Sequence, residues 1–318
     1  MTKHNLHTRA AALICVLALT GPAHAGLLWT YSYTGGGADG SGYITTSGTT
    51  DASGGYDITG VSGYRNGTPI ESLLAAGTYP ASGGGVLLSD NALNPTAPYL
   101  NLGGFTVAVG SGLYNLYNTG GQSYDLAGSD CLATNCGQPG HLGTPVALSV
   151  TSVPELEWQF SYSGAGVTAD GILTTLATPV GGDYQIVGLQ GERNGMAMNA
   201  LLPGGTWSAS GGGLLISDNL LSPTDPFLDL YGFTFHSGND RDNVYDDNGQ
   251  YYELAGVDCL ASNCGQPGHL GTPIKFSLTP ISVPEPSTLP LLMAGLIAGA
   301  TVLLRRRLSS VARNSARR

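Results

Sequence analysis

The sequence predicts an all-β protein with two tandem domains, each folded as an antiparallel β-sandwich or barrel-like sheet. Three observations lead to this prediction. The chain repeats itself at a spacing of about 128 residues. Its 318 residues include 49 glycines and 16 tyrosines but only 11% charged residues. Short runs alternate large apolar and polar side chains. This composition is typical of neither helical enzymes nor disordered tails.

The repeat predicts the domain organisation. Trp29–Tyr33 (WTYSY) matches Trp158–Tyr162 (WQFSY), and the similarity continues almost without gaps to the end of each copy. A unit of this length can bury its own core, unlike the short units of solenoid proteins. We therefore predict one β domain over residues 26–152 and a second over residues 155–282, close together because the linker is short.

Within each copy the local signals favour strands. Trp29–Tyr33 alternates aromatic and polar side chains, as a half-buried strand does. Gly120-Gly121 and Asn248-Gly249 lie between Tyr-rich arms, a pattern typical of a tight hairpin. Residues 70–76 are predicted to form one helical turn at most. The other strands predicted in the first copy are 42–46, 56–63, 85–89, 99–109, 113–118, 122–126 and 145–150.

Residues 1–25 have the pattern of a signal peptide. Lys3 and Arg9 precede a short apolar run, and Ala23-His24-Ala25 provides a small-residue cleavage site before Gly26. The alternative is a retained membrane helix, but the apolar run is too short to span a bilayer comfortably. We therefore expect export across the inner membrane.

Residues 283–318 contain three parts in a fixed order. Pro284-Glu285-Pro286 is followed by about 17 apolar residues and then by the arginines 305–307. Arginines after a spanning helix favour a cytoplasmic C-terminus, with the domains outside. The segment resembles the PEP-CTERM sorting signal, and the resemblance implies processing by exosortase in a bacterium that makes exopolysaccharide. A plain single-pass anchor is the alternative. The tail arginines of the motif are Arg305, Arg306 and Arg307.

The charge of the chain restricts its partners. Residues 26–286 contain only four basic residues but all 22 acidic ones, a net charge of about −18. Binding to phosphates requires clustered Lys and Arg, so nucleic acid is excluded as a partner. Cations, neutral sugars or proteins are the partners that this charge permits, and solubility alone is the simplest explanation.

Both repeats also resemble a recurrent ectodomain of PEP-CTERM proteins. The second copy has the stretches Asp218-Asn219-Leu220-Leu221-Ser222-Pro223 and Tyr251-Tyr252-Glu253-Leu254, and the first copy fits more loosely, with Asp125 in place of Glu253. This ectodomain has no assigned activity. The resemblance therefore supports the fold prediction and leaves the function open.

Each copy carries a matched C-x4-C pair. In an exported protein one short disulfide per copy is expected. The alternative is zinc, because His141 and His269 follow the pairs at a fixed spacing. The cysteines of the two predicted disulfides are Cys131, Cys136, Cys259 and Cys264.

Residues 239–248 of the second copy are rich in Asp and Asn, whose oxygens suit calcium. The EF-hand order of ligands is not present, and a solvated hairpin loop is the competing interpretation. The predicted calcium ligands are Asp240, Asp242, Asp246 and Asp247.

No catalytic motif for acyl transfer, metalloprotease or nucleotide chemistry is present. We expect a non-enzymatic protein without a cofactor, anchored at least transiently in the membrane and destined for the cell surface or matrix. Exosortase and exopolysaccharide are its expected partners. One alternative is a pair of carbohydrate-binding modules, with Tyr79 and Trp207 as exposed stacking platforms rather than core residues. The other alternative is a glycan hydrolase.

Overall fold

The computed structural model describes residues 26–132, 136, 142–238, 240–260, 264 and 270–281. The predicted signal peptide and the predicted sorting segment both lie outside these residues. The described part consists of β-strands joined by turns and loops, with two short 3-10 helices, Gly128–Asp130 and Gly256–Asp258. Within it, no helix has the length and the apolar character that a membrane span requires.

The first copy forms a closed antiparallel barrel of eight strands. The sheet runs in chain order from β1 to β4, continues through β8 to β11, and closes because β11 pairs with β1. The strands are β1 (Leu27–Gly35), β2 (Ala38–Thr50), β3 (Tyr56–Arg65), β4 (Thr68–Leu73), β5 (Gly77–Pro80), β6 (Val86–Ser89), β7 (Ala92–Leu93), β8 (Phe105–Val109), β9 (Gly112–Thr119), β10 (Gln122–Ala127) and β11 (Thr144–Val153).

The second copy repeats this topology strand for strand, and β22 closes the barrel on β12. Its strands are β12 (Glu155–Gly164), β13 (Val167–Leu176), β14 (Tyr184–Arg193), β15 (Met196–Leu201), β16 (Gly205–Ser208), β17 (Leu214–Ser217), β18 (Leu220–Leu221), β19 (Phe233–Ser237), β20 (Asp240–Asp247), β21 (Gln250–Ala255) and β22 (Thr272–Ile281). The predicted all-β class is confirmed, and the sheet of each copy is a closed barrel.

Aromatic residues fill the interior of each barrel. Trp29, Tyr31 and Tyr33 alternate into the first core, and Trp158, Phe160 and Tyr162 do the same in the second. The Trp29 indole also donates a hydrogen bond to Thr46 Oγ1 over 3.2 Å, so its polar atom is satisfied when it is buried. Burying one such ring contributes about 1.5–3 kcal/mol. The alternation seen in the sequence therefore defines the inside of the barrel.

Between the fourth and fifth barrel strands, each copy makes an excursion that carries a small second core. In the first copy Leu87 of the β5–β6 hairpin packs with Tyr117 and Cys131. In the second copy Leu215 of the β16–β17 hairpin packs with Tyr245 and Cys259.

Residues 70–76 stay within the predicted limit of one helical turn, because Thr68–Leu73 is strand β4 and pairs with β8. Two other local predictions from the sequence are wrong. Residues 240–247 are not a loop but strand β20, which pairs with both β19 and β21. The strand predicted at 99–109 begins only at Phe105, because Asn101 Oδ1 accepts hydrogen bonds from the Gly103 and Gly104 N–H groups and forms a turn.

Candidate functional site

The two barrels contact each other through equivalent strands. β3 and β4 of the first barrel lie against β14 and β15 of the second, so the contact is isologous in kind, as in a twofold dimer. Ser62 Oγ donates a buried hydrogen bond of 2.8 Å to the Val187 carbonyl. At another point of the contact, Arg241 forms an ion pair of 2.8 Å with Glu71.

A groove with a volume of about 790 Å³ runs along this contact. This volume is within the usual range for a small-ligand site. The first barrel contributes the outer face of β1 to β3, and the second contributes β14 and the segments around residues 201–204 and 217–219. We refer to this site as the inter-barrel groove.

The first barrel supplies aromatic rings and hydroxyl groups to the inter-barrel groove. Tyr43 and Tyr64 line it, and Tyr64 is 38% exposed. Between them Gly42 pairs with Gly63, and a Cβ on Gly42 would lie 1.9 Å from the Ser62 carbonyl oxygen. Only glycine is therefore tolerated at residue 42.

The second barrel supplies an amide and a carboxyl group. Gln185 Nε2 donates to the Asn219 carbonyl over 3.1 Å, which fixes the amide at the edge of the groove. Asp218 Oδ1 accepts a 3.1 Å hydrogen bond from the Leu220 N–H. Burial and the neighbouring Asp229 raise the pKa of Asp218 to about 6. The groove therefore combines ring faces with directional donors and acceptors.

Two residues of this groove that the sequence analysis missed, Tyr43 and Tyr64, differ between the two copies. The position of Tyr43 is occupied by Ile172 in the second copy, and that of Tyr64 by Glu192. Asp218 and Asp229 correspond to Asp90 and Asn101 in the first copy, where Asn101 donates to the Asp90 carboxylate. A comparison of the outward-facing strand positions of the two copies would therefore have indicated the groove from the sequence.

Neither predicted stacking platform lies in the inter-barrel groove. Tyr79 and Trp207 are partly buried on the excursion hairpins, where each packs against a small core. The Trp207 indole donates to the Pro203 carbonyl over 3.1 Å, and the Tyr79 hydroxyl donates to the Ala75 carbonyl. This placement corresponds to the core interpretation of these rings.

The four predicted calcium ligands lie at separate positions along β20. Asp242 is fully buried and lies 3.4 Å from Arg193, whereas Asp246 accepts a 2.8 Å hydrogen bond from the Gly249 N–H. The Asp240 carboxylate accepts from Ser210, and Asp247 accepts from Asn248. Among the described residues, no three acidic, His or Cys side chains converge in a way that could hold a metal ion. Calcium binding stays the untested alternative to a protein without a cofactor.

Each barrel encloses a buried Arg–carboxylate pair. Arg65 binds Asp125 through two nitrogens, with Nε and Nη2 at 2.9 and 3.0 Å from the two carboxylate oxygens, and its guanidinium lies 3.7 Å from the centre of the Tyr114 ring. In the second barrel Arg193 Nε lies 2.9 Å from Glu253. Asp242 occupies the position of Tyr114, so one arginine there faces two carboxylates. Burial and Glu253 raise the pKa of Asp242 to about 7, against the opposite effect of Arg193.

Both predicted disulfides are present. Cys131 is bonded to Cys136, and Cys259 is bonded to Cys264. A disulfide sulfur is not a thiolate, so these pairs supply no thiolate ligands for zinc. His141 and His269 of the zinc hypothesis lie outside the described residues.

Comparison with known proteins identifies one segment of the chain. A family model for the PEP-CTERM protein-sorting motif matches residues 282–307. Searches of curated proteins and of solved structures find no significant match. The matched segment includes Pro284, Glu285 and Pro286 and the arginines 305–307. The motif indicates export, sorting to the cell surface by transit through the membrane, and processing by an exosortase. The chain carries a PEP-CTERM sorting motif at its C-terminus, as the sequence predicts.

Proposed function

We propose that this chain is a non-enzymatic protein of the cell surface or extracellular matrix, with an interaction role linked to exopolysaccharide. The observation that carries the proposal is the PEP-CTERM motif at residues 282–307. The disulfides in both barrels support it, because such bonds persist in oxidising compartments outside the cytoplasm. The predicted signal peptide at residues 1–25 supports the same route.

The sorting step is tested in the producing bacterium by replacing residues 284–286 with alanine. We expect this variant to keep its tail and to remain in the inner membrane, whereas the parent protein loses the tail and reaches the surface. Pro154→Ala is the matched control, because Val153-Pro154-Glu155 follows the first repeat as Val283-Pro284-Glu285 follows the second. Intact parent protein in the cytosol with reduced cysteines would refute the proposal.

The inter-barrel groove supports a more specific role, the binding of a neutral polysaccharide. Tyr43 and Tyr64 present ring faces on which a pyranose can stack, while Gln185 and Asp218 offer hydrogen-bonding partners for hydroxyl groups. The net charge of about −18 over residues 26–286 repels uronate-rich chains. A neutral chain is therefore the ligand class that the groove fits best.

This role is tested by affinity electrophoresis of the exported protein in gels that contain dextran, laminarin or hydroxyethylcellulose, with alginate as the anionic comparison. We expect retardation by at least one neutral polymer, and at least a fivefold weaker effect for Tyr64→Ala. Tyr79→Phe is the control, because Tyr79 lies on the β5–β6 hairpin and its hydroxyl donates to the Ala75 carbonyl, away from the groove. No retardation by any neutral polymer, or a loss in the Tyr79 variant alone, would refute a groove site.

The absence of catalysis is part of the proposal and has its own test. We expect no new reducing ends when the purified protein is incubated with the producer's polysaccharide. Turnover that a single Asp or Glu substitution abolishes would replace the proposal with the hydrolase alternative.

A further inference from the structure

A buried carboxylate lies where the beginning of the first barrel meets the second barrel. Glu157 of β12 is 8% exposed, and the next residue, Trp158, points into the core of the second barrel. Its Oε1 accepts a 2.9 Å hydrogen bond from the backbone nitrogen of Gly26. Among the described residues, no Lys, Arg or His side chain forms an ion pair with it. A buried carboxylate without a cation is unfavourable unless another group compensates for its charge.

A second carboxylate increases this need for positive charge. Glu155 lies two residues earlier on the same strand and therefore on the same face. Burial and the charge of Glu157 raise the pKa of Glu155 to about 8, and burial also raises the pKa of Glu157. In the first copy these two positions are Gly26 and Leu28. The acidic pair is therefore not part of the shared barrel design.

The backbone nitrogen beside Glu157 belongs to the residue at which the predicted signal-peptide cleavage occurs. Hydrolysis breaks the bond between the Ala25 carbonyl carbon and the Gly26 nitrogen and adds the hydroxyl of water to that carbon, so the signal peptide leaves with a terminal carboxylate. The Gly26 nitrogen retains its hydrogen and takes up two protons, one from the water and one from the new carboxylic acid, to become an ammonium group. One neutral donor thus becomes three donors with a positive charge, at a position that already touches the carboxylate.

We propose that export completes this contact: the new α-ammonium of Gly26 forms an ion pair with Glu157, next to Glu155, and fastens the first strand of one barrel to the first strand of the other. The inference rests on the proposed export. It assigns Glu155 and Glu157 as a receptor site for the mature N-terminus, so that the two barrels reach their full mutual stability only after processing.

The size of residue 26 fits this role. A Cβ at Gly26 would lie 2.7 Å from the Thr46 carbonyl oxygen and 3.2 Å from Glu157 Oε1. Any larger residue would push the terminal nitrogen away from the carboxylate.

The test is a thermodynamic cycle on the exported, processed protein. One arm converts the terminal amine of Gly26 to a carbonyl by pyridoxal-phosphate transamination, and the other arm is Glu157→Gln. We expect each change alone to lower the Tm by about 3 °C or more. We expect both changes together to lower it no further than one alone, because they remove the same ion pair. Glu192→Gln, an exposed glutamate of the same barrel, is the control and should show additivity.

Labelling of the amine gives an independent readout. An ion-paired α-ammonium has a raised pKa, and each unit of increase slows acylation at pH 7 about tenfold. Glu157→Gln should restore the ordinary rate.

Intact mass separates the ways in which the inference fails. A chain that starts elsewhere than Gly26 overturns both the predicted cleavage and the inference. A chain that starts at Gly26 but shows additive Tm losses and an unchanged labelling rate overturns the inference and leaves the proposed export standing.

Discussion

Replacing Asp242 with asparagine should stabilise the protein at alkaline pH. In the second barrel Arg193 faces both Glu253 and Asp242, and Asp242 is fully buried. One cation cannot neutralise two carboxylates, so the charged form of Asp242 is unfavourable in the fold. Asparagine keeps the Oδ1 acceptor that receives a 3.3 Å hydrogen bond from the Gly256 N–H, and it removes the excess charge.

The pKa of Asp242 sets the magnitude and the sign of the effect. Burial and Glu253 raise this pKa from 3.8 to about 7. Because the folded state binds the proton more tightly than the unfolded state, the stability contribution is complete below pH 4 and is lost as the pH rises through 7. At 1.36 kcal/mol per unit, the loss between pH 4 and pH 8 is on the order of 4 kcal/mol.

Thermal unfolding at pH 5 and at pH 8 tests this reasoning. We expect Asp242→Asn to match the parent closely at pH 5 and to exceed its Tm by about 4 °C or more at pH 8. Asp170→Asn, an exposed position on β13, should change neither value. A variant that is less stable than the parent at pH 8 would show that Asp242 strengthens the arginine pair, and the argument would then fail.

Three further changes test other parts of the fold. Arg65→Met should lower the free energy of unfolding by about 3–5 kcal/mol in denaturant titrations, because it leaves Asp125 buried without its cation. The double variant Arg65→Met with Asp125→Leu should recover most of this loss. Cys131→Ser should lower it by only about 2 kcal/mol, because the disulfide closes a short loop between residues 131 and 136; full unfolding would show that this bond is required for folding. EDTA should leave the Tm unchanged, and a decrease that calcium reverses would establish a metal site that the described residues do not form.

The sequence predicts the strands of the barrels better than their closure. The alternation of aromatic and polar side chains in Trp29–Tyr33 reflects the two faces of a single strand, so it can be recognised from a short stretch of sequence. Closure depends on the pairing of β1 with β11, which are separated by more than a hundred residues, and no local pattern reports it. The sandwich and barrel alternatives were therefore inseparable from sequence.

The error at β20 has a tertiary cause. Asp and Asn are typical of turns, so residues 239–248 indicated a loop. In the barrel, Asn243 is buried and its Nδ2 donates to the Tyr231 carbonyl and to Thr234 Oγ1, both over 3.0 Å. Arg193 of β14 lies 3.4 Å from Asp242 and offsets part of its charge. Partners from other strands thus make these polar residues acceptable inside a strand, and those partners cannot be identified from spacing.

The two copies differ in a way that explains why the candidate site needs both of them. The interior Arg–carboxylate pair is kept in each barrel, as Arg65 with Asp125 and as Arg193 with Glu253, because a lone buried charge would destabilise either one. Outward positions carry no such constraint and have diverged. Since the barrels meet through equivalent strands, a symmetric pair would present the same surface to itself. Divergence at the positions of Tyr43 and Tyr64 instead gives the contact two different walls, an aromatic one from the first barrel and a polar one with Gln185 and Asp218 from the second. A single barrel has only one of these walls, so the inter-barrel groove is a property of the duplication itself.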